Sequence, residues 1–125
     1  MRRAGVAKSV LVVEDNELNS KLFCDLLRAH DLAAEPVRDG REALARARAM
    51  RPDLIVMDIQ LPHVSGVDLI RQLKGDPVLK GVPILAVTAY AGAEDEAKIR
   101  AAGADAYVTK PIALMRFIEE VRVLL

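Results

Sequence analysis

The sequence predicts a (βα)5 doubly wound α/β domain, a five-stranded parallel sheet with helices on both faces. Three observations carry that prediction. Short apolar runs rich in β-branched residues alternate with longer segments of helical spacing. The runs are apolar without polar alternation, the pattern of strands covered on both faces. The 125 residues also fit the count, because five strands of about five residues, five helices of about eleven and connections of about four consume roughly 120. One domain over residues 1–125 is expected, with no output domain and with residues 1–8 as a flexible lead-in.

The first strand is expected over Ser9–Val13. In the helix after it, Leu18, Leu22 and Leu26 recur every four residues beside Phe23 and Leu27, and are expected to form the core-facing stripe. A weaker strand reads over Ala33–Val37. Ala43, Leu44, Ala47 and Met50 then form a thin helical stripe that Pro52 stops after Arg51. The third strand is expected over Asp53–Asp58. Ser65 with Asp68 three residues on is a capping-box variant that opens a helix running through Lys74. The fourth strand reads over Val82–Thr88, and Gly103 closes the helix that starts near Glu94. The fifth strand spans Ala104–Thr109, and Leu114, Ile118, Val121 and Leu125 mark the last helix. Right-handed crossovers place every strand's C-terminal end on one edge of the sheet, where ligands bind in open α/β folds.

Composition excludes several functions. With 18 Lys+Arg against 18 Asp+Glu the formal net charge is zero, which argues against nucleic acid or a membrane surface as a general partner. The aromatics are Phe23, Tyr90, Tyr107 and Phe117, too few for a base-stacking platform. Cys24 is the lone cysteine, so no internal disulfide or thiolate zinc site can form, and it is expected to pack as a small hydrophobe. The apolar run Val10–Val13 ends at Glu14 and Asp15, too short for a signal peptide, and the charge-free stretch Gly81–Ala93 is too short to span a bilayer. A cytoplasmic protein without membrane insertion is expected. His30 and His63 are isolated and are expected at the surface.

The strand ends carry the chemistry. Glu14 and Asp15 follow the first strand, Asp58 ends the third, Thr88 the fourth, and Lys110 follows the fifth. Polar residues at one strand end are unremarkable, but three carboxylates, one hydroxyl and one ammonium on a single edge define a site. Carboxylates at 4–5 Å repel by roughly 3–4 kcal/mol per pair at an effective dielectric near 20. A hard divalent cation removes that cost, and Mg²⁺ is typically held by one or two carboxylates together with phosphoryl oxygen and water. Lys110 and Thr88 can then bind further phosphoryl oxygens, and Asp58 can accept the phosphoryl group as a nucleophile. The rivals fail on specifics. VVEDNELN in the first βα turn has no glycines, no P-loop motif occurs, and no serine sits on a G-x-S-x-G elbow.

In order and spacing, Glu14-Asp15, Asp58, Thr88 and Lys110-Pro111 resemble the receiver domain of two-component response regulators, a CheY-like, flavodoxin-like fold with strand order 2-1-3-4-5. The resemblance runs from Ser9 to Leu125. LVVEDNELNSKLFCDLL, DLIVMDIQLPHVSG and VTKPI are most similar to single-domain receivers of alphaproteobacterial cell-cycle control. The resemblance implies that Asp58 takes its phosphoryl group from a phosphohistidine on a sensor histidine kinase. It implies that Asp15, Asp58 and the Gln60 backbone carbonyl ligate Mg²⁺, with Glu14 acting through water. Lys110, Thr88 and Ala89 would bind the phosphoryl group, and the Lys110–Pro111 bond would be cis, a form cheap only before proline.

Further implications concern signalling. Thr88 would swing towards the phosphoryl group and Tyr107 would turn inward behind it, altering the face of the fourth helix, fifth strand and fifth helix. Gln60 and Tyr90 occupy the positions that tune the phosphoryl lifetime. Asn16, Leu18, Ser20, Leu22 and Ile112–Leu114 are the candidate kinase contacts, although Leu18 and Leu22 are also expected in the core. The expected partners are the sensor kinase, acting also as a phosphatase, and a downstream, kinase-like signalling protein in cell-cycle or polarity control. The protein would be mainly a monomer that catalyses its own phosphorylation and dephosphorylation without turning over a separate substrate. The competing reading is a phosphorylation-independent pseudo-receiver, disfavoured because acceptor, acids and lysine are all present. An aspartyl-phosphate hydrolase is disfavoured because Ile59 and Gln60, not x-Asp, follow Asp58.

Overall fold

A computed structural model describes residues 7–90 and 92–125, so most of the expected lead-in lies outside the described residues. The element order is β1 (Ser9–Val13), α1 (Glu17–Ala29), β2 (Ala33–Val37), a 3-10 turn (Gly40–Glu42), α2 (Ala43–Met50), β3 (Leu54–Asp58), α3 (Gly66–Gly75), β4 (Ile84–Thr88), α4 (Ala93–Ala102), β5 (Ala106–Thr109) and α5 (Leu114–Leu124). All strand pairs are parallel, in the order β2-β1-β3-β4-β5. This is the doubly wound (βα)5 architecture that the alternating pattern predicts.

Strand periodicity sorts the core into two layers. Leu11, Val13, Ile55, Met57, Ile84 and Ala86 face α2, α3 and α4, meeting Ala43, Ala47, Leu69, Ile70, Leu73 and Ile99. Their alternates Val10, Val12, Leu54, Val56, Leu85, Val87 and Val108 face α1 and α5, meeting Phe23, Cys24, Leu27, Phe117, Ile118 and Val121. Phe23 and Phe117 stack across the two helices with ring centroids 5.0 Å apart. Cys24 is buried there as a packed thiol.

The leucine repeat of α1 faces the core only at its last member, Leu26, which packs against Phe23, Leu27 and their neighbours. Leu18 is 78% exposed and Leu22 44%, whereas Ser20, Phe23, Cys24 and Leu27 are buried. A spacing of four advances about 40° beyond a full turn at each step, so the leucines drift across the helix. The buried set follows i, i+3, i+4, i+7 instead, the narrower path that stays on one face. Ser20, expected among the kinase contacts, lies on that buried face. Similarly, Leu114 of α5 is 40% exposed while Phe117, Ile118 and Val121 fill the core.

Strand starts shift for local reasons. β3 begins one residue late because the Asp53 carboxylate accepts the Ser9 N–H at 2.8 Å. β4 begins at Ile84, since the Val82 N–H closes a turn onto Leu79 O and Pro83 has no N–H to give. β5 begins at Ala106 because the Ala104 N–H bonds Ile99 O at the end of α4. Helix ends follow the sequence signals. Asn16 caps α1 by accepting from Asn19 N, and Ser65 caps α3 by accepting from Asp68 N. Gly103 ends α4 at φ 122°, a backbone conformation that side chains resist.

One glycine bears directly on the functional edge. A Cβ on Gly66 would lie 2.6 Å from Ile59 Cα and 2.8 Å from Asp58 O, so α3 can start this close behind the β3 end only with glycine there. Among the described residues, no helix is long and apolar enough to cross a membrane. His63 is exposed at φ 70°, and His30 is half-buried with its Nδ1 3.1 Å from Arg122 Nη2.

Candidate functional site

The strand order puts β1 and β3 side by side at the centre of the sheet, so residues leaving their C-terminal ends converge. Glu14, Asp15 and Asp58 each offer a carboxylate oxygen within 4.8 Å of the others. Glu14 and Asp58 are 1% and 2% exposed, Asp15 is half-buried, and the shared pocket opens at Asp15. Lys110, arriving from β5, places Nζ 3.3 Å from Asp58 Oδ2 and 3.6 Å from Glu14 Oε1. The Gln60 N–H donates to Asp58 Oδ1 at 3.0 Å, which leaves the acceptor carboxylate held from both sides. The Lys110–Pro111 peptide bond is cis.

Charge in this pocket is incompletely compensated. Glu14 Oε2 accepts the Asn16 N–H at 3.2 Å, but Glu14 Oε1 is buried without a hydrogen-bond partner. Burial, followed by the adjacent Asp58 carboxyl, pushes the Glu14 pKa up to about 8, against opposing pulls from the Asn16 N–H and Lys110. A buried carboxylate oxygen with no hydrogen bond and only a 3.6 Å lysine contact, beside two further carboxylates, belongs to an all-oxygen donor set that fits a small hard divalent cation such as Mg²⁺.

Thr88 ends β4 fully buried. Its Oγ1 accepts from Gln60 Nε2 and from the Tyr90 N–H, both at 3.1 Å, while the Ala89 N–H donates to Gln60 Oε1 at 2.8 Å. The Gln60 side chain therefore bridges the ends of β3 and β4, a contact that no sequence signal announces. Tyr90 is 58% exposed.

Tyr107 is not drawn into the acidic pocket. Half-buried on β5, it donates its hydroxyl to Glu96 Oε1 at 2.9 Å, and the Arg100 guanidinium lies 5.4 Å over its ring. Arg100 and then the Tyr107 hydroxyl lower the Glu96 pKa, and Glu96 in turn raises that of Tyr107. The Glu96–Arg100 spacing is legible as a helical ion pair, but the tyrosine that joins it comes from another element. Around this cluster lies a depression of about 250 Å³ lined by Arg100, Tyr107, Thr109, Pro111, Arg116 and Glu120.

A second depression, of about 340 Å³, lies between α1 and the loop after β5, lined by Asn19, Leu22, Phe23, Lys110, Pro111 and Ile112. It joins exposed Leu22 to the site lysine. The sequence-selected residues thus fall in three places: Glu14, Asp15, Asp58 and Lys110 in one pocket, Gln60, Thr88 and Ala89 on its β4 side, and Tyr107 on the surface beyond.

Comparison with known proteins places this geometry. The sequence pattern of the response regulator receiver domain matches residues 10–122. The polar-differentiation response regulator DivK of Brucella anthropi is 53% identical over 115 residues, 92% of this chain and 94% of that protein. DivK of Brucella ovis is 51% identical over 117 residues, 94% of this chain and 95% of that one. Among solved structures, chemotaxis protein CheY4 of Vibrio cholerae superposes with a TM-score of 0.91 at 27% identity, covering 96% of this chain and 100% of its own. The receiver domain of sensor histidine kinase PA1611 from Pseudomonas aeruginosa, solved with magnesium coordinated in its active-site cleft, gives 0.83 at 32% identity, with 95% of each chain covered.

Proposed function

The chain belongs to the response regulator receiver domain family, and we propose that it is a phosphorylatable switch whose acceptor is Asp58. One observation carries the reading: Asp58 shares a pocket with Glu14 and Asp15, carboxylate oxygens within 4.8 Å, and has Lys110 Nζ at 3.3 Å. An Asp58 carboxylate oxygen attacks the phosphorus of a phosphohistidine on a sensor histidine kinase. The new P–O bond forms as the P–N bond breaks, and the imidazole leaves with the electron pair and takes a proton. Lys110 supplies charge to a phosphoryl oxygen, while the Thr88 hydroxyl and Ala89 N–H supply donors to others. Glu14, Asp15, Asp58 and the Gln60 backbone carbonyl would hold Mg²⁺, supported by the Glu14 oxygen without a hydrogen bond and by the magnesium in the PA1611 receiver. When bound, the ion supplies positive charge that offsets the carboxylates and the incoming phosphoryl oxygens.

The protein acts on itself, catalysing its own phosphorylation and dephosphorylation rather than turning over a separate substrate. Its output is a population shift in which Thr88 follows the phosphoryl group and Tyr107 leaves Glu96, changing the α4–β5–α5 face. Gln60 and Tyr90 set the phosphoryl lifetime. The docking side for the kinase, which also serves as phosphatase, is the depression joining Leu22, Lys110 and Ile112. The relatives' name, polar-differentiation response regulator, supports a regulator of cell polarity or the cell cycle. In this reading it is cytoplasmic, mainly monomeric, and signals to a downstream, kinase-like protein. The test is labelling with acetyl phosphate and Mg²⁺, read by intact mass. Wild type gains one phosphoryl group and Asp58→Asn gains none; labelling of the variant at the wild-type level would sink the assignment.

A further inference from the structure

Resting on the phosphoacceptor reading, we propose that the Gln60 carboxamide is a built-in competitor for the Ala89 N–H and an anchor on Thr88. In the unmodified state it occupies the Ala89 N–H, which it must release before a phosphoryl oxygen can be bound there, and it holds the Thr88 side chain in place. Gln60 Oε1 accepts the Ala89 N–H at 2.8 Å, and Nε2 donates to Thr88 Oγ1 at 3.1 Å. The amide orientation is forced, because a backbone N–H can face only the carbonyl oxygen.

The Ala89 contact conflicts directly with the phosphorylated state, and the Thr88 contact holds back the side chain that would have to move. Ala89 has a single backbone proton, so a phosphoryl oxygen can gain it only if Gln60 Oε1 gives it up. At Thr88 the conflict is positional: Gln60 Nε2 and the Tyr90 N–H donate to both lone pairs of Oγ1, which leaves the hydroxyl proton free but anchors the side chain where it stands. Thr88 is fully buried, so water cannot take over these contacts while the side chain stays in place. Meanwhile the Gln60 N–H donates to Asp58 Oδ1 at 3.0 Å, so one residue grips the acceptor with its backbone and the β4 donors with its side chain. Gln60 is a positioning residue: bonds made only in the unmodified state bias the equilibrium towards that state.

The experiment is an equilibrium titration with beryllofluoride at saturating Mg²⁺, a non-covalent phosphoryl mimic whose affinity is independent of any hydrolysis rate. Gln60→Ala loses both contacts and is expected to bind about five- to tenfold more tightly than wild type. Gln60→Asn, one methylene too short to reach both partners, is expected to shift in the same direction. In metal-free protein the Ala89 amide resonance should move upfield, and its hydrogen exchange should quicken, in both variants. Equal or weaker binding by the variants, or an unchanged Ala89 amide, overturns the competitor role while leaving the phosphoacceptor intact. A wild-type protein that does not bind beryllofluoride at all overturns the phosphoacceptor reading and this inference with it.

Discussion

The acidic edge at Asp58 and the α4–β5 surface around Tyr107 are both built from charged and hydroxyl-bearing side chains, yet they stand in opposite conditions. At the edge, three carboxylates meet one ammonium, two of the acids are almost fully buried, and Glu14 Oε1 has no hydrogen-bond partner. On the surface, Glu96 accepts from both Arg100 and Tyr107, and the guanidinium covers the ring. The first region gains from what it binds, because added positive charge relieves it. The second is already satisfied, and changes only if a competing state outweighs contacts it already has. A receiver needs both, a place where chemistry is favourable and a place that holds a conformation until the chemistry happens.

The sharpest way to break that contrast is to neutralise the Asp58 carboxylate. Asp58→Asn is expected to abolish Mg²⁺-dependent phosphorylation by acetyl phosphate, whereas Tyr107→Phe, which alters only the satisfied region, should be labelled at close to the wild-type rate. Intact-mass time courses of the two variants side by side decide it. Loss of labelling in Tyr107→Phe would mean that the two regions are not chemically separable.

The next largest effect is on stability, and its sign follows from Glu14. In the folded protein its pKa is pushed up to about 8, above the ordinary glutamate value of 4.5. Between those values the folded state holds the proton more tightly than the unfolded chain, so metal-free stability falls as pH rises from about 5 to 8. At pH 7 the accumulated loss is on the order of 3 kcal/mol. Glu14→Gln should remove most of that slope in chelator melts, and should weaken Mg²⁺ binding. A wild-type protein in chelator whose stability stays flat over this window would show that the edge is not frustrated as described.

The same contrast explains what could be read from the sequence. Glu14, Asp15, Asp58, Thr88 and Lys110 were legible because each directly ends an apolar run, and a parallel sheet sends all such ends to one edge. The strands and the helix ends at Ser65 and Gly103 were legible for a similar reason: their signals are local. On α1 the leucine spacing points to Phe23, Leu26 and Leu27 correctly but not to Leu18 and Leu22, because the buried stripe runs through Ser20 and Cys24 instead. The Gln60 bridge to Thr88 and Ala89 and the seating of Tyr107 on Glu96 were illegible. Each joins side chains from different elements, and only the packed tertiary structure sets their distance.

The smallest expected effect tests the satisfied region alone. Glu96 is half-buried with its side chain still 37% open to solvent, so its ion pair is screened and Glu96→Gln should leave thermal stability near the wild-type value. Because Arg100 and then Tyr107 lower the Glu96 pKa, its slight contribution to wild-type stability is present above the ordinary glutamate range and lost as pH falls through the depressed value. The informative readout is Tyr107. Its pKa is raised chiefly by the bond to Glu96, so replacing the carboxylate with an amide should bring the phenol's titration, followed by ultraviolet difference absorbance, back down towards its ordinary value. If Glu96 holds Tyr107 in the unmodified conformation, the same substitution should make the tyrosine ring resonances more sensitive to beryllofluoride at a fixed sub-saturating dose, with Asp58 labelling unchanged. A Tyr107 titration that does not move would place the tyrosine's restraint elsewhere, in its packing against the core rather than in the charged cluster on α4.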